Sequence, residues 1–303
     1  MRGDVLESPL PTLDGVAPSR QTLPAAGRWA TVLDFLSERH ASVGFETWAA
    51  RMRAGRVVDE AGHRVTPESP YRAGACVYYY REPEEETRVP FAERIIHLDE
   101  HLLVADKPHF LAVAPAGRFL RETLLVRLKR STGLDALAPV HRIDRETAGL
   151  VVFSVNPSTR GAYASLFQRR EVSKVYEALS VGRPALDLPV TRRSRIVAGE
   201  PFFRMKEVDG EPNSETRVEL IAEREGGTLY EARPLTGRKH QVRLHLAALG
   251  LPVLNDRLYP EALPDTPEDF SAPLKLLAKS LSFRDPLTGR ILHFESERGL
   301  EGG

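Results

Sequence analysis

The chain has 303 residues, enough for one large core or for a large domain with a small one beside it. Lys and Arg total 42 and Asp and Glu total 42, so the whole-chain balance announces no polyanion partner, and any such site has to come from local clustering. The single cysteine, Cys76, excludes an internal disulfide and a multi-cysteine zinc site, no apolar run approaches membrane-spanning length, and the N-terminus lacks a signal-peptide layout, so a cytoplasmic protein with no membrane partner is expected.

Residues 1–28 carry Pro9, Pro11, Pro18 and Pro24 without periodicity and read as a disordered or loosely draped arm. Trp29, Val32, Leu33 and Leu36 then fall on one helix face. Phe45, Trp48, Ala49 and Met52 repeat that spacing, with Gly55 placed to end the second helix. Short β-type pieces follow at 56–58, 64–65 and 76–80. Residues 29–88 therefore form a small module of two helices and a β-structure. The acidic, proline-containing stretch 81–90 reads as a linker.

From Phe91 strands and helices are mixed. Residues 95–98 and 102–105 are strand-like, 120–130 is a helix candidate, and Asn156-Pro157 is a good helix opening ahead of an apolar face at Tyr163, Leu166 and Phe167. Residues 174–181 and 228–235 are further strands. A helix beginning near Lys239 carries the stripe Val242, Leu246 and Leu249 and ends at Gly250. Residues 260–273 make a proline-rich surface excursion.

Charge is clustered along the chain. Arg118, Arg121, Arg127, Lys129, Arg130, Arg142 and Arg145 form one basic group, and Arg183, Arg192, Arg193, Arg195, Arg204 and Lys206 form another. Acid is concentrated at Glu82 and Glu84 to Glu86. A solvated surface is the commoner fate of any one run, but two basic segments flanking a candidate nucleophile favour an anionic substrate.

That nucleophile is Asp144, in Pro139-Val-His-Arg-Ile-Asp-Arg-Glu-Thr-Ala-Gly-Leu-Val-Val-Phe-Ser154. It lies among His141, Arg142 and Arg145, just before an apolar β-type segment. Neighbouring positive charge favours an ionised carboxylate, and a strand end is a rigid place to present one. An aspartate that merely fixes a loop by pairing with arginines is the ordinary alternative.

The segment resembles the His-Arg-Leu-Asp signature of the pseudouridine synthases of the RluA/Rsu type, which modify uridines in ribosomal and transfer RNA. Here Ile143 replaces the usual Leu, and Ala148 stands where a Ser is common. Other matching pieces occur in the family's order: Lys107-Pro108, Lys174-Val-Tyr-Glu-Ala178, Thr236-Gly-Arg-Lys-His-Gln-Val-Arg-Leu-His245, Pro252-Val-Leu-Asn-Asp256 and Leu277-Ala-Lys-Ser-Leu-Ser-Phe283. The resemblance covers the chain from about residue 90 onward. It implies an α+β fold, with a mixed, largely antiparallel sheet flanked by helices, over 89–303. Residues 29–88 resemble the S4-like RNA-binding module often found ahead of it.

The resemblance implies roles for single residues. Asp144 is the catalytic carboxylate, Tyr176 stacks on the target base and is a candidate for moving its proton, and Arg243 is the ion-pair partner of Asp144. Arg142 fills the gap that a flipped base leaves. Arg238 contacts phosphate or supports its turn. His141 is grouped with the substrate-binding residues, although a satisfied structural histidine is its favoured reading. Arg51, Arg53 and Arg56 either line an RNA face or form a solvated helix end. His240 and His245, five apart, suit a helical metal pair poorly. The chemistry requires no cofactor and no metal. A monomer acting on RNA is expected. The main rival is a non-catalytic RNA-binding or ribosome-assembly factor on the same scaffold. An Asp-based hydrolase or phosphotransferase is weaker, since no metal-binding acid cluster is visible.

Overall fold

Thr31 and Asp34 start the first helix by capping each other. The Thr31 hydroxyl accepts the Asp34 N–H at 3.1 Å, and the Asp34 carboxylate accepts the Thr31 N–H at 3.0 Å. In this computed structural model, which describes residues 8–81, 86–181, 187–224, 226–264 and 269–300, the chain divides into two compact units. The first comprises residues 1–86 with 117–121, and the second 87–116 with 122–303. Glu82, Glu84 and Glu85 of the expected linker, and Arg183 of the second basic group, lie outside the described residues.

The first unit holds α1 (Val32–Arg39), α2 (Phe45–Arg53) and an antiparallel sheet of β1 (Ser19–Thr22), β2 (Val57–Asp59) and β3 (Cys76–Tyr79), ordered β1-β3-β2. Trp48, Ala49 and Met52 of α2 pack on Leu33 and Leu36 of α1 and on Val57 and Tyr79 of the sheet. Phe45, expected on that buried face, is half in water. The loose arm expected over 1–28 is corrected in part, because Ser19–Thr22 pairs with β3 along its whole length. An edge strand is held by main-chain hydrogen bonds, and its polar side chains gave no alternation to read. Residues 1–7 lie outside the described residues.

The second unit is built on an eleven-stranded sheet. Its strands are β4 (Arg94–Leu98), β5 (Leu102–Lys107), β6 (Ala138–Pro139), β7 (Ala148–Ser154), β8 (Val172–Ser180), β9 (Val190–Ala198), β10 (Met205–Val208), β11 (Ser214–Arg224), β12 (Gly227–Pro234), β13 (Leu276–Arg284) and β14 (Ile291–Glu295). The main order is β10-β9-β11-β12-β8-β13-β7-β5-β4, with β14 beside β13 and β6 beside β7. Every pairing is antiparallel except β13 with β7.

Three helices cover this sheet: α3 (Leu124–Thr132), α4 (Arg160–Gln168) and α5 (Gln241–Ala248). Alternation along β5 sends Leu103 and Ala105 to the α3 side, against Leu124 and Leu128. Leu102 and Val104 go to the α4 side, against Tyr163 and Leu166. On α5, Val242 and Leu246 pack on Ala178, Val218 and Tyr230. The helix expected from residue 120 begins later, where the Thr123 hydroxyl accepts the Val126 N–H. Asn156 likewise caps a turn ahead of α4 rather than the helix itself, its Oδ1 accepting the Ser158 N–H at 3.0 Å. No helix among the described residues is long and apolar enough to cross a membrane.

Candidate active site

Asp144 sits in the irregular segment between β6 and β7, where its carbonyl accepts the Thr147 N–H at 3.2 Å. Buried Lys107 at the end of β5 and half-buried His109 just after it hold the backbone just beyond Asp144. Lys107 Nζ donates to Arg145 O at 3.0 Å and Pro108 O at 2.8 Å, and His109 Nδ1–H donates to Glu146 O at 2.7 Å. Burial brings the Lys107 ammonium down to about 7, although Glu146 and Asp144 pull the other way. Burial likewise lowers the His109 imidazole to about 4, leaving a neutral ring as donor.

Gly149 lets β7 approach β13. Its φ is +111°, and a Cβ there would stand 2.3 Å from Ala278 O. Ala278 pairs with Gly149 on one side and with Tyr176 of β8 on the other, so two strand registers bring Tyr176 toward the Asp144 loop. The Tyr176 phenol is pushed up by burial and by the charge of Asp144.

Arg243 comes from α5, and α5 is fixed by its polar side chains. Gln241 donates to Glu215 O and Thr216 Oγ1, both at 2.9 Å, and accepts the Thr236 hydroxyl at 2.7 Å. His245 Nε2 contacts the Ser194 and Ser214 hydroxyls at 2.9 and 3.1 Å, and burial lowers this imidazole to about 4. Arg243 is 1% exposed. Its Nε and Nη2 donate to the two oxygens of Asp256 at 2.8 and 2.7 Å, and Nη1 donates to Asp144 Oδ2 at 3.2 Å. Burial alone would lower this guanidinium. The hydrogen bonds and charge of Asp256, with the charges of Asp144 and Glu146, outweigh it and raise it.

One oxygen of Asp144, Oδ2, is thus held by Arg243, and the other, Oδ1, is not bonded by it. His240 Nε2 stands 3.9 Å from that Oδ1, and His240 Nδ1 lies 3.0 Å from the Tyr259 hydroxyl. Burial lowers the His240 imidazole, with Asp144 opposing. Asp144 keeps 22% of its side chain exposed, whereas Asp256 keeps none. The arrangement presents an aimed, partly open carboxylate beside an aromatic ring. Among the described residues, no three His, Cys, Asp or Glu side chains gather as a metal-binding group.

The other expected site residues are placed as follows. Arg142 is an exposed residue of the same segment as Asp144, and Arg238 is exposed in the turn before α5, where its Nε donates to Asn213 O at 3.2 Å. His141 is packed inward: its ring stacks on Phe167 at 4.5 Å, and Nε2 accepts the Val152 N–H at 3.1 Å. Burial lowers it to about 3. Its grouping with the substrate-binding residues is therefore corrected to a structural role, because its acceptor nitrogen is spent on the main chain of β7. Arg51, Arg53 and Arg56 belong to the first unit, where the Arg51 guanidinium lies over the Trp48 ring at 5.2 Å. Asp256, Lys107, His109 and Tyr259 were not expected at the site, and His240 was weighed only as half of a metal pair. Lys107 and Asp256 stood in quoted motifs, but nothing in their spacing signalled a buried partner.

The RNA pseudouridylate synthase family model matches residues 101–248. An uncharacterized RNA pseudouridine synthase of Synechocystis sp. is 32% identical over 234 residues, covering 75% of this chain and 79% of that protein. The chain belongs to the RNA pseudouridine synthases. The dual-specificity RNA pseudouridine synthase RluA of Pasteurella multocida is 32% identical over 67% of this chain and 91% of its own, which makes this synthase one of the RluA type. Human RNA pseudouridylate synthase domain containing 1 shares the fold, with a TM-score of 0.57 at 23% identity over 71% of this chain and 86% of its own. The synthase is thus an isomerase of RNA with the expected α+β fold.

Proposed function

We propose that Asp144 is the catalytic carboxylate of this synthase and that its substrate is a uridine in structured ribosomal or transfer RNA. The observation that carries the reading is the Asp144–Arg243 pair, in which one carboxylate oxygen is held at 3.2 Å and the other is left toward a half-open site. Uridine becomes pseudouridine when the N1–C1′ bond breaks, the uracil turns, C5 bonds to C1′, the C5 proton leaves and the freed N1 takes up a proton. A carboxylate can serve as nucleophile at C1′ or as base on the sugar. A stacked base is out of reach, so the uridine has to be flipped. Tyr176 takes its face and Arg142 supports the gap left behind. Arg238 contacts the backbone, and Arg51, Arg53 and Arg56 add a second RNA contact on the smaller unit.

The test is carbodiimide-based mapping of pseudouridine in RNA from cells lacking the gene. One or a few sites are expected to disappear, to return with the wild-type chain, and to stay absent with Asp144→Asn. Restoration by Asp144→Asn overturns the assignment. An unchanged map together with an inactive purified protein favours the non-catalytic RNA-binding reading.

A further inference from the structure

The tip of the β9–β10 hairpin holds two phenyl rings in water. Phe202 is 87% exposed and Phe203 39%, with centroids 5.5 Å apart at 77°. Neither belongs to a core cluster of the unit. Phe202 is the most exposed large apolar side chain among the described residues, and two adjoining rings open at a loop tip make an apolar patch of the kind that binding surfaces use.

The hairpin around them is basic. From Val190 to Val208 the sequence carries Arg192, Arg193, Arg195, Arg204 and Lys206 against Glu200 and Glu207, five positive against two negative. Glu207 is occupied by Arg192, and Arg193 by Glu215 of β11. Arg195 and Lys206 are exposed. Aromatic faces combined with excess positive charge suit unpaired nucleobases on a phosphate backbone better than an apolar protein surface.

The base of the hairpin is joined to the catalytic residues through one tyrosine. The Arg204 and Arg243 guanidinium groups both lie over the Tyr259 ring, at 5.2 and 5.5 Å from its centroid. The Met205 N–H donates to the Tyr259 hydroxyl at 2.8 Å, and Arg204 Nη2 donates to Pro260 O at 2.6 Å. A cavity of about 290 Å³ runs between the hairpin and α5, with Arg204, Lys206, Leu244 and Tyr259 in its wall.

We propose that this hairpin is an RNA-stacking arm. Phe202 and Phe203 take unpaired bases of the substrate, while Arg195 and Lys206 meet its phosphates. The inference rests on the RNA-isomerase reading above and adds the element that selects unpaired substrate.

Pseudouridine formation releases the C5 hydrogen of the target uridine, so tritium release from RNA labelled at uridine C5 reports turnover. The RNA is total RNA from cells lacking the gene, and the protein is the full chain. The double variant Phe202→Ala/Phe203→Ala is expected to raise KM roughly tenfold, a change of the size that loss of base stacking produces. Phe202→Tyr/Phe203→Tyr restores the wild-type KM to within about twofold, since it keeps the ring faces. Both exposed positions tolerate substitution, and far-UV circular dichroism verifies the fold. An unchanged KM in the double alanine variant overturns the arm and leaves its rings to a protein partner or to no partner. If the wild type releases no tritium, the RNA-isomerase reading falls first and the arm falls with it.

Discussion

Arg243 grips Asp256 with two hydrogen bonds and reaches Asp144 with one. Asp256 is therefore the anchor of the pair and Asp144 its aimed end. Asp256 Oδ1 also accepts the Leu258 N–H at 2.8 Å and the Tyr259 N–H at 3.2 Å, so one carboxylate fixes the arginine and the turn carrying Tyr259. Asp256→Ala leaves a guanidinium buried with its main partner gone. The expected loss is about 3–5 kcal/mol in urea denaturation, with activity lost as well. Asp256→Leu/Arg243→Met is expected to be less destabilised than Asp256→Ala alone, because it removes the stranded charge. A double variant weaker than the single one contradicts this account.

Lys107 gives the site a pH signature. Its folded value is about 7, against 10.5 for an ordinary lysine. Between those values the unfolded chain binds the proton and the folded chain does not, so this residue's contribution makes stability rise with pH across that window. Below about 7 both states are protonated, and the cost of burying the charge is present in full. The neutral amine keeps N–H groups for Arg145 O and Pro108 O, so the loop stays clamped at the upper end. Denaturation profiles of the wild type and Lys107→Met should diverge from about pH 7 to 10.5, with the wild type gaining stability. Parallel profiles refute it. Lys107→Met should also lower kcat, since it frees the backbone one residue beyond Asp144.

Asp144, Tyr176 and Arg243 could be named as candidates because each lies in a contiguous motif of distinctive residue types that carries the family resemblance, and the expected pairing of Asp144 with Arg243 is seen in the structure. Asp256 and Lys107 belonged to the same motifs, yet their roles were invisible. A carboxylate that turns back onto an arginine thirteen residues earlier is fixed by the path of the loop after α5, which no periodicity encodes. The helix faces of α1, α2, α4 and α5 followed from apolar spacing. Ser19–Thr22 did not, since a polar edge strand depends on main-chain bonds to β3. The starts of α3 and α4 moved because the Thr123 side chain in one case and a local turn at Asn156 in the other, rather than the first apolar residue, decide where the helix begins.

Gly149→Ala tests whether the parallel contact of β7 and β13 shapes the site. The new methyl group meets main-chain atoms of Ala278, which no rotamer change can move aside, and the backbone is in a region that alanine resists. A loss of about 2–4 kcal/mol is expected by thermal or urea denaturation. Activity should fall further than the folded fraction does, because Asp144 hangs from the start of β7 and Tyr176 lies across β13. A variant of wild-type stability and activity shows that the two strands can separate at no cost to the site.

His141 precedes Arg142, so its role has to be separated from RNA contact. Its Nε2 accepts the Val152 N–H, which requires the neutral ring, and burial holds the folded value at about 3, against 6.5 for an ordinary histidine. The unfolded chain takes up the proton first as pH falls, so this residue's contribution to stability is present above about 6.5 and is lost progressively toward pH 3. His141→Leu strands the Val152 N–H and is expected to cost about 1–3 kcal/mol at neutral pH and to flatten that acid dependence. At a temperature where the variant is folded, KM for RNA should stay within about twofold of wild type, well below the loss expected for a removed base contact. A stable variant with a tenfold higher KM would return His141 to the RNA surface.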